Sequence, residues 1–185
     1  MNPISDAEIL LLIKTPATKD RGFRLMMEKY QEKLYWQIRR MMREHEDTND
    51  VLQNVLIKVW NAIDGFKEES QLTTWLYRIA YNESINLLTQ NKKMKLVDWE
   101  TSISGISNIE KEEHNPKKEF EEALMLGIES LPGKQKLIFK MRYFDELSYE
   151  QMSVITGTSV GGLKASYHHA IKKLEIIIKS NLNQN

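Results

Sequence analysis

Side chains able to contact nucleic acid recur at helical spacing in the middle of the chain. Arg78, Asn82 and Asn86 follow one another every four residues, so they line one face of a helix. Amides of this kind can hydrogen-bond base edges, while the lysines that follow, Lys92 and Lys93, can hold phosphates. A solvated helix face with a cationic end explains the same pattern, so this stretch by itself leaves both interpretations open.

A second stretch, residues 147–173, predicts two short helices around a glycine turn. Ser148 with Gln151 has the pattern of a capping box, Gly157 suits the left-handed residue that closes a helix, and Thr158 or Ser159 caps the next helix. This is the pattern of a helix-turn-helix, whose second helix would enter the major groove. Its outward side carries small, basic and histidine residues: Gly161, Lys164, Ala165, His168, His169 and Lys172. An ordinary pair of packed helices remains the alternative.

Catalytic chemistry finds little support in the chain. Carboxylates group only at Asp47 with Asp50, where a helix start favours acids, and at Glu110 to Glu113, in an irregular segment unable to hold rigid geometry. The chain has no cysteine, and its four histidines lack zinc-like spacing. We therefore predict a protein that is not an enzyme and that uses no metal and no cofactor.

Composition restricts the class of protein further. Acidic and basic residues balance at 26 each, so only local segregation of charge could favour a polyanionic partner. Eight glycines, four prolines and the absence of strand-like alternation predict an all-α fold. No apolar run approaches the roughly 20 residues that span a bilayer, and the N-terminus lacks the pattern of a signal peptide. These features predict a cytoplasmic protein without membrane insertion.

Apolar periodicity places helices along most of the chain. A capping box of Ser5 with Glu8 opens a short helix that ends at Pro16. The further predicted helices run over about 20–44, 47–64, 73–95, 120–130 and 134–143, with a polar loop at 67–71. In the helix at 134–143, Lys136, Lys140 and Arg142 are expected to be available for phosphates.

Apolar spacing is lost between residues 97 and 118, which predicts a linker between two small helical domains. Residues 96–122 hold eight acidic side chains against three lysines, whereas residues 134–185 hold eight basic side chains against four acidic ones. Charge is thus segregated into an acidic connector and a basic end. An acidic tether suits a positively charged groove of a protein partner, although a merely solubilising linker explains it as well.

Taken together, these stretches resemble the extracytoplasmic-function (ECF) sigma factors, the smallest members of the bacterial sigma-70 family. The resemblance rests on DVLQNVLIKVW at 50–60, TTWLYRIAYNESIN at 73–86, the helix-turn-helix within 131–174, and the acidic link between them. It implies sigma region 2 at 1–95, a linker at 96–118, and region 4 at 119–185. Region 4 would be a tetrahelical, winged-helix-like helix-turn-helix domain. The implied function is to bind core polymerase and direct transcription initiation at promoters.

The resemblance also implies roles for individual residues. The residues implied to dock on the β′ clamp helices of polymerase are Asp50, Gln53, Asn54 and Leu56. The family commonly has glutamate where this chain has Asn54. Recognition of the melted −10 strand falls to the Gly65–Gln71 loop with Arg78, Asn82, Asn86, Lys92 and Lys93. Recognition of the −35 duplex falls to Ser159, Gly161, Lys164, Ala165, Ser166, His168, His169 and Lys172. The implied partners are core RNA polymerase, including its β flap, promoter DNA and an anti-sigma factor.

The −35 surface departs from the family pattern. Many relatives have threonine, serine and two arginines where this chain has Gly162, Ala165, Ser166 and His169. Without arginine, bidentate recognition of guanine is lost, so we expect readout to depend on Lys164, His168 and backbone groups at the helix N-terminus.

Three other functions compete with this interpretation. An independent DNA-binding regulator would bind duplex DNA tightly without polymerase, and a helical enzyme would need carboxylates that the chain does not group. A helical scaffold would leave Arg78, Asn82, Asn86, Lys164 and Lys172 unexplained.

Overall fold

The computed structural model describes residues 4–42, 44–94 and 116–182, and within these ranges all regular structure is helical. The α-helices of these ranges are α1 Asp6–Lys14, α2 Lys19–Arg39, α3 His45–Ala62, α4 Leu72–Met94, α5 Pro116–Ser130, α6 Gly133–Tyr143, α7 Tyr149–Thr156 and α8 Val160–Leu182. Short 3₁₀ turns lie at Pro16–Thr18 and Ile63–Gly65. The all-α prediction is confirmed.

The described residues group into two compact units. One contains the described residues up to 93 together with 150–157, and the other contains the remainder. The predicted linker at 96–118 lies almost entirely outside the described residues, so the linker and the domain borders stay predictions. Helix α5 nevertheless begins at Pro116, so residues 116–118 are helical rather than irregular. Proline suits the first turn of a helix, where its missing N–H has no intrahelical partner.

In the first unit, α1 begins with the predicted capping box. The Ser5 hydroxyl accepts from the Glu8 N–H at 3.3 Å, and the Glu8 carboxylate accepts from the Ser5 N–H at 2.9 Å. Helix α1 lies against α2 at Gly22, where an added Cβ would come within 2.8 Å of the Ile13 backbone nitrogen. Only glycine allows this approach. Helices α1 to α4 each contribute buried apolar side chains: Ile9 and Ile13, Met26 and Leu34, Val51 and Val55, Leu76 and Ala80.

Two boundaries between α2 and α3 differ from the prediction. Helix α2 ends at Arg39 rather than near residue 44, since Met42 is buried and the Arg39 guanidinium donates to its carbonyl oxygen at 3.1 Å. Helix α3 begins at His45, two residues before the predicted start, so Thr48 lies inside its first turn. The buried Thr48 hydroxyl donates to the Glu44 carbonyl one turn earlier, at 3.1 Å.

The second unit is built around a cluster of buried residues from α5, α6, α8 and the turn between α5 and α6: Ile128, Leu131, Phe139, Ala170 and Leu174. Phe139 is its largest side chain, and its ring stacks on Tyr143 at 5.2 Å and on Tyr167 at 5.9 Å between centroids. Periodicity in α6 predicted Leu137, Ile138 and Met141 inside and missed Phe139. Helix α5 approaches α8 at Gly127, whose added Cβ would lie 2.9 Å from a methyl group of Leu174.

Candidate functional site

The middle of α4 presents the predicted polar row. Arg78, Asn82 and Asn86 are exposed, whereas Ala80 and Ser84 on the other side of the helix are buried. The Ser84 hydroxyl donates to the Ala80 carbonyl at 2.8 Å, which satisfies it inside the unit. The placement of the three side chains on one exposed face is therefore confirmed. Lys92 and Lys93 belong to α4, but their side chains lie outside those that the structure describes.

Asn86, one member of the row, is contacted by Glu83, a residue that the sequence analysis did not single out. Glu83 is only 13% exposed, and its Oε1 atom lies 2.5 Å from Lys58 Nζ of α3 and 3.4 Å from Asn86 Nδ2. The second contact is long for a hydrogen bond. Glu83 thus joins α3 to the polar row of α4. The three-residue separation of Glu83 and Asn86 signals their contact in the sequence, whereas the ion pair with Lys58 depends on how α3 packs against α4.

The loop before α4 contains a residue in an uncommon conformation. Glu68 has φ +59°, in the left-handed region that non-glycine residues seldom adopt. The ring of Phe66, at the start of the loop, lies 5.1 Å from the ring of Trp75 on α4. The predicted polar loop is therefore present, and it follows directly after the 3₁₀ turn that ends α3.

Helix α3 presents the face predicted for polymerase docking. Asp50, Gln53 and Asn54 are exposed, and Ile57 extends the same face with 53% of its surface accessible. Leu56, which the resemblance implied as a contact, is half-buried at the border of this face. The face therefore combines an acid, two amides and one exposed aliphatic side chain.

The turn between α7 and α8 has the predicted geometry. Gly157 adopts φ +68°, and its N–H donates to the Ser153 carbonyl at 2.9 Å. Of the two candidate caps, Ser159 is the one observed, because its hydroxyl accepts from the Gly162 N–H at 3.3 Å. Helix α8 begins at the next residue, Val160.

The outward side of α8 agrees with the predicted reading face. Ser166 is half-buried. The other predicted residues are exposed: Ser159, Gly161, Lys164, Ala165, His168, His169 and Lys172. The Lys164 ammonium lies 5.7 Å from the centre of the Tyr149 ring, close enough for a cation–π contact. The rings of His168 and His169 are 6.2 Å apart. This face is therefore weakly basic, with small residues near the start of the helix.

The cations of α6 are engaged within the unit, which corrects the expectation that they are available for phosphates. Lys136 and Lys140 each lie 3.0 Å from an oxygen of the Glu129 carboxylate on α5. Burial would raise the pKa of Glu129, but the hydrogen bonds from both lysines hold it below its ordinary value. Arg142 donates to the Leu147 carbonyl at 2.8 Å and lies over the Tyr149 ring. These three cations stabilise the loop and helix packing instead.

The described ranges contain neither a grouping of metal ligands nor a membrane-spanning helix. There, the His, Asp and Glu side chains form no group of three that could hold a metal ion. Helices long and apolar enough to cross a membrane are also absent from the part of the chain that the structure describes.

Comparison with known proteins matches both halves of the chain to one family. Residues 26–94 match the family model of sigma-70 region 2, and residues 121–174 match that of sigma-70 region 4. The ECF RNA polymerase sigma-E factor of Escherichia coli (strain K12) is 30% identical over 166 residues, which cover 84% of this chain and 85% of that protein. The RNA polymerase sigma factor SigV of Bacillus subtilis (strain 168) is 27% identical over 135 residues, which cover 73% of this chain and 78% of that protein.

Solved structures share the fold. CnrH, in complex with the cytosolic domain of CnrY, has a TM-score of 0.66 at 16% identity, covering 95% of this chain and 99% of CnrH. The sigma factor RpoE of Bartonella quintana, in complex with the anti-sigma factor NepR, has a TM-score of 0.66 at 21% identity, covering 86% of this chain and 98% of RpoE. The chain therefore belongs to the sigma-70 family, as an ECF RNA polymerase sigma factor that directs promoter-specific transcription.

Proposed function

We propose that the exposed faces of α3, α4 and α8 divide the work of promoter recognition among them. The α3 face of Asp50, Gln53 and Asn54 docks on the β′ clamp helices of core polymerase. The α4 row and the Gly65–Gln71 loop capture the melted −10 strand, and α8 reads the −35 duplex. The observation that carries this proposal is the exposed row of Arg78, Asn82 and Asn86 on α4, the helix that follows directly after that loop.

The chemistry of the α4 row suits a single strand. Unpaired bases expose their hydrogen-bonding edges, which the amides of Asn82 and Asn86 can reach, while the Arg78 guanidinium can pair with a phosphate. Phe66 and Trp75 place aromatic rings beside the same loop, where an unstacked base would enter. A strand that is already open therefore binds with less unstacking than a duplex.

The α8 face suits a duplex that is read with few strong contacts. The exposed Gly161 and Ala165 allow the helix to approach base edges closely, and Lys164 and Lys172 can hold phosphates on either side. Backbone N–H groups at the start of α8 add a further phosphate contact. With Lys136 and Lys140 engaged by Glu129, we expect modest affinity for the isolated −35 duplex.

Modest affinity at each site is sufficient once polymerase sets the distance between the two. The second contact is then intramolecular, and its effective concentration multiplies the affinity of the first. This explains how a chain of zero net charge can select promoters. Sigma factors are generally non-catalytic, and we propose the same here: the chain acts in the cytoplasm, and the polymerase performs the chemistry. We propose further that an anti-sigma factor restrains the chain, as RpoE of Bartonella quintana is bound by the anti-sigma factor NepR.

Association with bacterial core RNA polymerase tests the docking assignment. We expect the wild-type chain to co-elute with core enzyme, and Asp50→Ala and Gln53→Ala each to weaken the association by about 1 kcal/mol or more, as interface hot spots do. The matched control is Gln31→Ala, which removes an exposed amide from α2. Equal affinity of all four proteins for core enzyme would refute the docking surface.

A gel shift on duplex promoter DNA separates this function from that of an independent regulator. We expect little specific binding by the chain alone and tight binding when core enzyme is present. Tight specific binding without polymerase would favour the independent regulator. The promoter itself can be obtained by run-off transcription on a promoter library, followed by sequencing of the products.

A further inference from the structure

We infer that α1 acts as a brace that sets the conformation of the Gly65–Gln71 loop, with Lys14 as its principal positioning residue. This inference rests on the proposed function of that loop in capturing the −10 strand. Helix α1 lies outside residues 26–94, which match the family model of region 2. The sequence features that define region 2 therefore do not include this helix.

The position of α1 is closely determined by its packing. Ile9 and Ile13 are buried, and the backbone of Ile13 lies so close to Gly22 of α2 that no side chain fits between them. Lys14 is the next residue and the last of the helix. A lysine attached to so rigid a base can hold its partner in one place, because little backbone motion is available to it.

The partner of Lys14 is the residue of the loop that most needs support. Lys14 Nζ lies 2.5 Å from Glu68 Oε1, and Glu68 is the loop residue with φ +59°. A non-glycine residue keeps this conformation only when its surroundings hold it, and such residues concentrate at functional sites. The side chains are 60% and 51% exposed, so the ion pair biases the loop moderately rather than locking it.

Polar contacts from the same N-terminal region also hold both ends of the loop. Before it, Lys19 Nζ lies 2.6 Å from Asp64 Oδ2 and 4.7 Å from the centre of the Trp60 ring. After it, the Thr73 hydroxyl lies 3.3 Å from the Tyr30 hydroxyl, which donates to Asp6 of α1 at 2.6 Å. The loop is therefore supported at its start, at Glu68 and at its end.

The link through Tyr30 is a partly buried network. Lys29 Nζ donates to Asp6 at 2.7 Å and to the Ile4 carbonyl at 2.8 Å. Burial, together with the hydrogen bond to Asp6, raises the pKa of Tyr30 to about 12. Burial would raise the pKa of Asp6 as well, but the hydrogen bonds from Lys29 and Tyr30 hold it below its ordinary value. Asp6 therefore stays ionised and anchors both partners near neutral pH.

A braced loop would bind a strand without first being ordered, and this pre-organisation increases affinity. The test measures binding of holoenzyme, assembled from the full chain and bacterial core RNA polymerase, to a single-stranded −10 oligonucleotide. The oligonucleotide is selected from a random library with the wild-type protein. We expect Lys14→Ala and Glu68→Ala each to weaken binding by about two- to fivefold, the factor that an exposed ion pair provides. The double variant should be no weaker than either single one, since both remove the same contact.

The variant Glu68→Gly distinguishes the brace from a direct contact between Lys14 and DNA. Glycine adopts the left-handed conformation without support, so Lys14→Ala should lose its effect when residue 68 is glycine. If Lys14 instead held a phosphate, Lys14→Ala would weaken binding in that background too and lower the salt dependence by about one counterion. That result would overturn the brace. The matched control is Lys67→Ala, which removes an exposed lysine from the loop itself and should be insensitive to residue 68.

A readout without DNA separates failure of the brace from failure of the proposed function. In the full chain, Lys14→Ala should shift the indole N–H resonance of Trp75, whose ring contacts Phe66 of the loop. An unchanged resonance overturns the brace. If Asn82→Ala leaves strand binding unchanged, the assignment of the α4 row is wrong, and the resonance still decides whether Lys14 positions the loop. If Asn82→Ala weakens binding while Lys14→Ala does not, the brace alone is wrong.

Discussion

The outward faces of α4 and α8 carry polar side chains at the same helical spacing, yet different interactions position the two helices. Helix α4 is joined to its neighbours by polar contacts: Glu83 with Lys58, Thr73 with Tyr30, and the Tyr77 carbonyl with Gln37 at 3.2 Å. Helix α8 is held mainly by apolar packing, around Phe139 and Leu174. In the first unit, polar groups of neighbouring helices therefore reach α4 itself, and one of them pairs with Glu83 next to the polar row.

The two units also differ in which charged side chains are available to contact DNA. In the second unit, Lys136 and Lys140 are half-buried and paired with Glu129, so they belong to the structure rather than to the surface. In the first unit, Arg78 is exposed, and the acid Glu83 on the same helix is paired with Lys58 of α3. A cation count therefore overstates the basic surface of the second unit.

The largest effect is expected at the aromatic centre of the second unit. Phe139→Ala should lower the free energy of unfolding by about 3–5 kcal/mol, because it leaves a cavity where Tyr143 and Tyr167 now stack. Urea unfolding followed by far-UV circular dichroism measures the loss. Tyr143→Ala is the control, since Tyr143 is 53% exposed and should matter much less. A loss below about 1 kcal/mol for Phe139→Ala would show that this stack does not hold α8.

The next effect distinguishes the two close helix approaches. Gly22→Ala should destabilise the chain by about 1–3 kcal/mol, because the added methyl meets backbone that cannot yield. Gly127→Ala should cost less, since its methyl meets the end of the Leu174 side chain rather than backbone and alanine favours the helix by about 1 kcal/mol. Thermal unfolding of both variants checks the order, and the reverse order would contradict it.

A smaller effect separates surface cations from structural ones. Lys164→Ala should weaken −35 duplex binding by holoenzyme and lower its salt slope by about 1, whereas Lys140→Ala should leave the slope unchanged. Binding is measured over a series of salt concentrations, with His168→Ala as a further variant that should weaken binding without the same change in slope. Wild-type affinity for both Lys164→Ala and His168→Ala would remove the proposed −35 readout.

The smallest effect concerns the pH dependence of the Glu129 cluster. Because its folded pKa lies below the ordinary 4.5, the stabilisation from Glu129 is complete above that pH and is lost as the pH falls through the folded pKa. Glu129 is 59% exposed, so Glu129→Gln should cost less than about 1 kcal/mol near neutral pH. The difference from wild type should close in acid, and urea unfolding over a pH series measures it. A difference that persists unchanged below the folded pKa would exclude the ion pairs as its source.

Helix faces were predictable because they depend on spacing within one segment. The outward sides of α4 and α8, the capping box at Ser5 and the left-handed Gly157 all follow from neighbours within a few residues. The place of Phe139 was not predictable, since three consecutive apolar residues in α6 leave its inward side ambiguous. The pairing of Lys136 and Lys140 with Glu129 was missed because it joins two helices.

By itself, the sequence determined the helices, their polar faces and the membership of the chain in its family, because these depend on local periodicity and on motifs in a fixed order. Only the tertiary structure decided which charged groups form ion pairs. It also brought Lys14 of α1 to Glu68, the residue with the uncommon backbone conformation in the loop before α4. The physical reason is that ion pairs and close approaches between helices depend on crossing angles and distances. Those quantities are set by side chains far apart in the chain, and no local pattern records them.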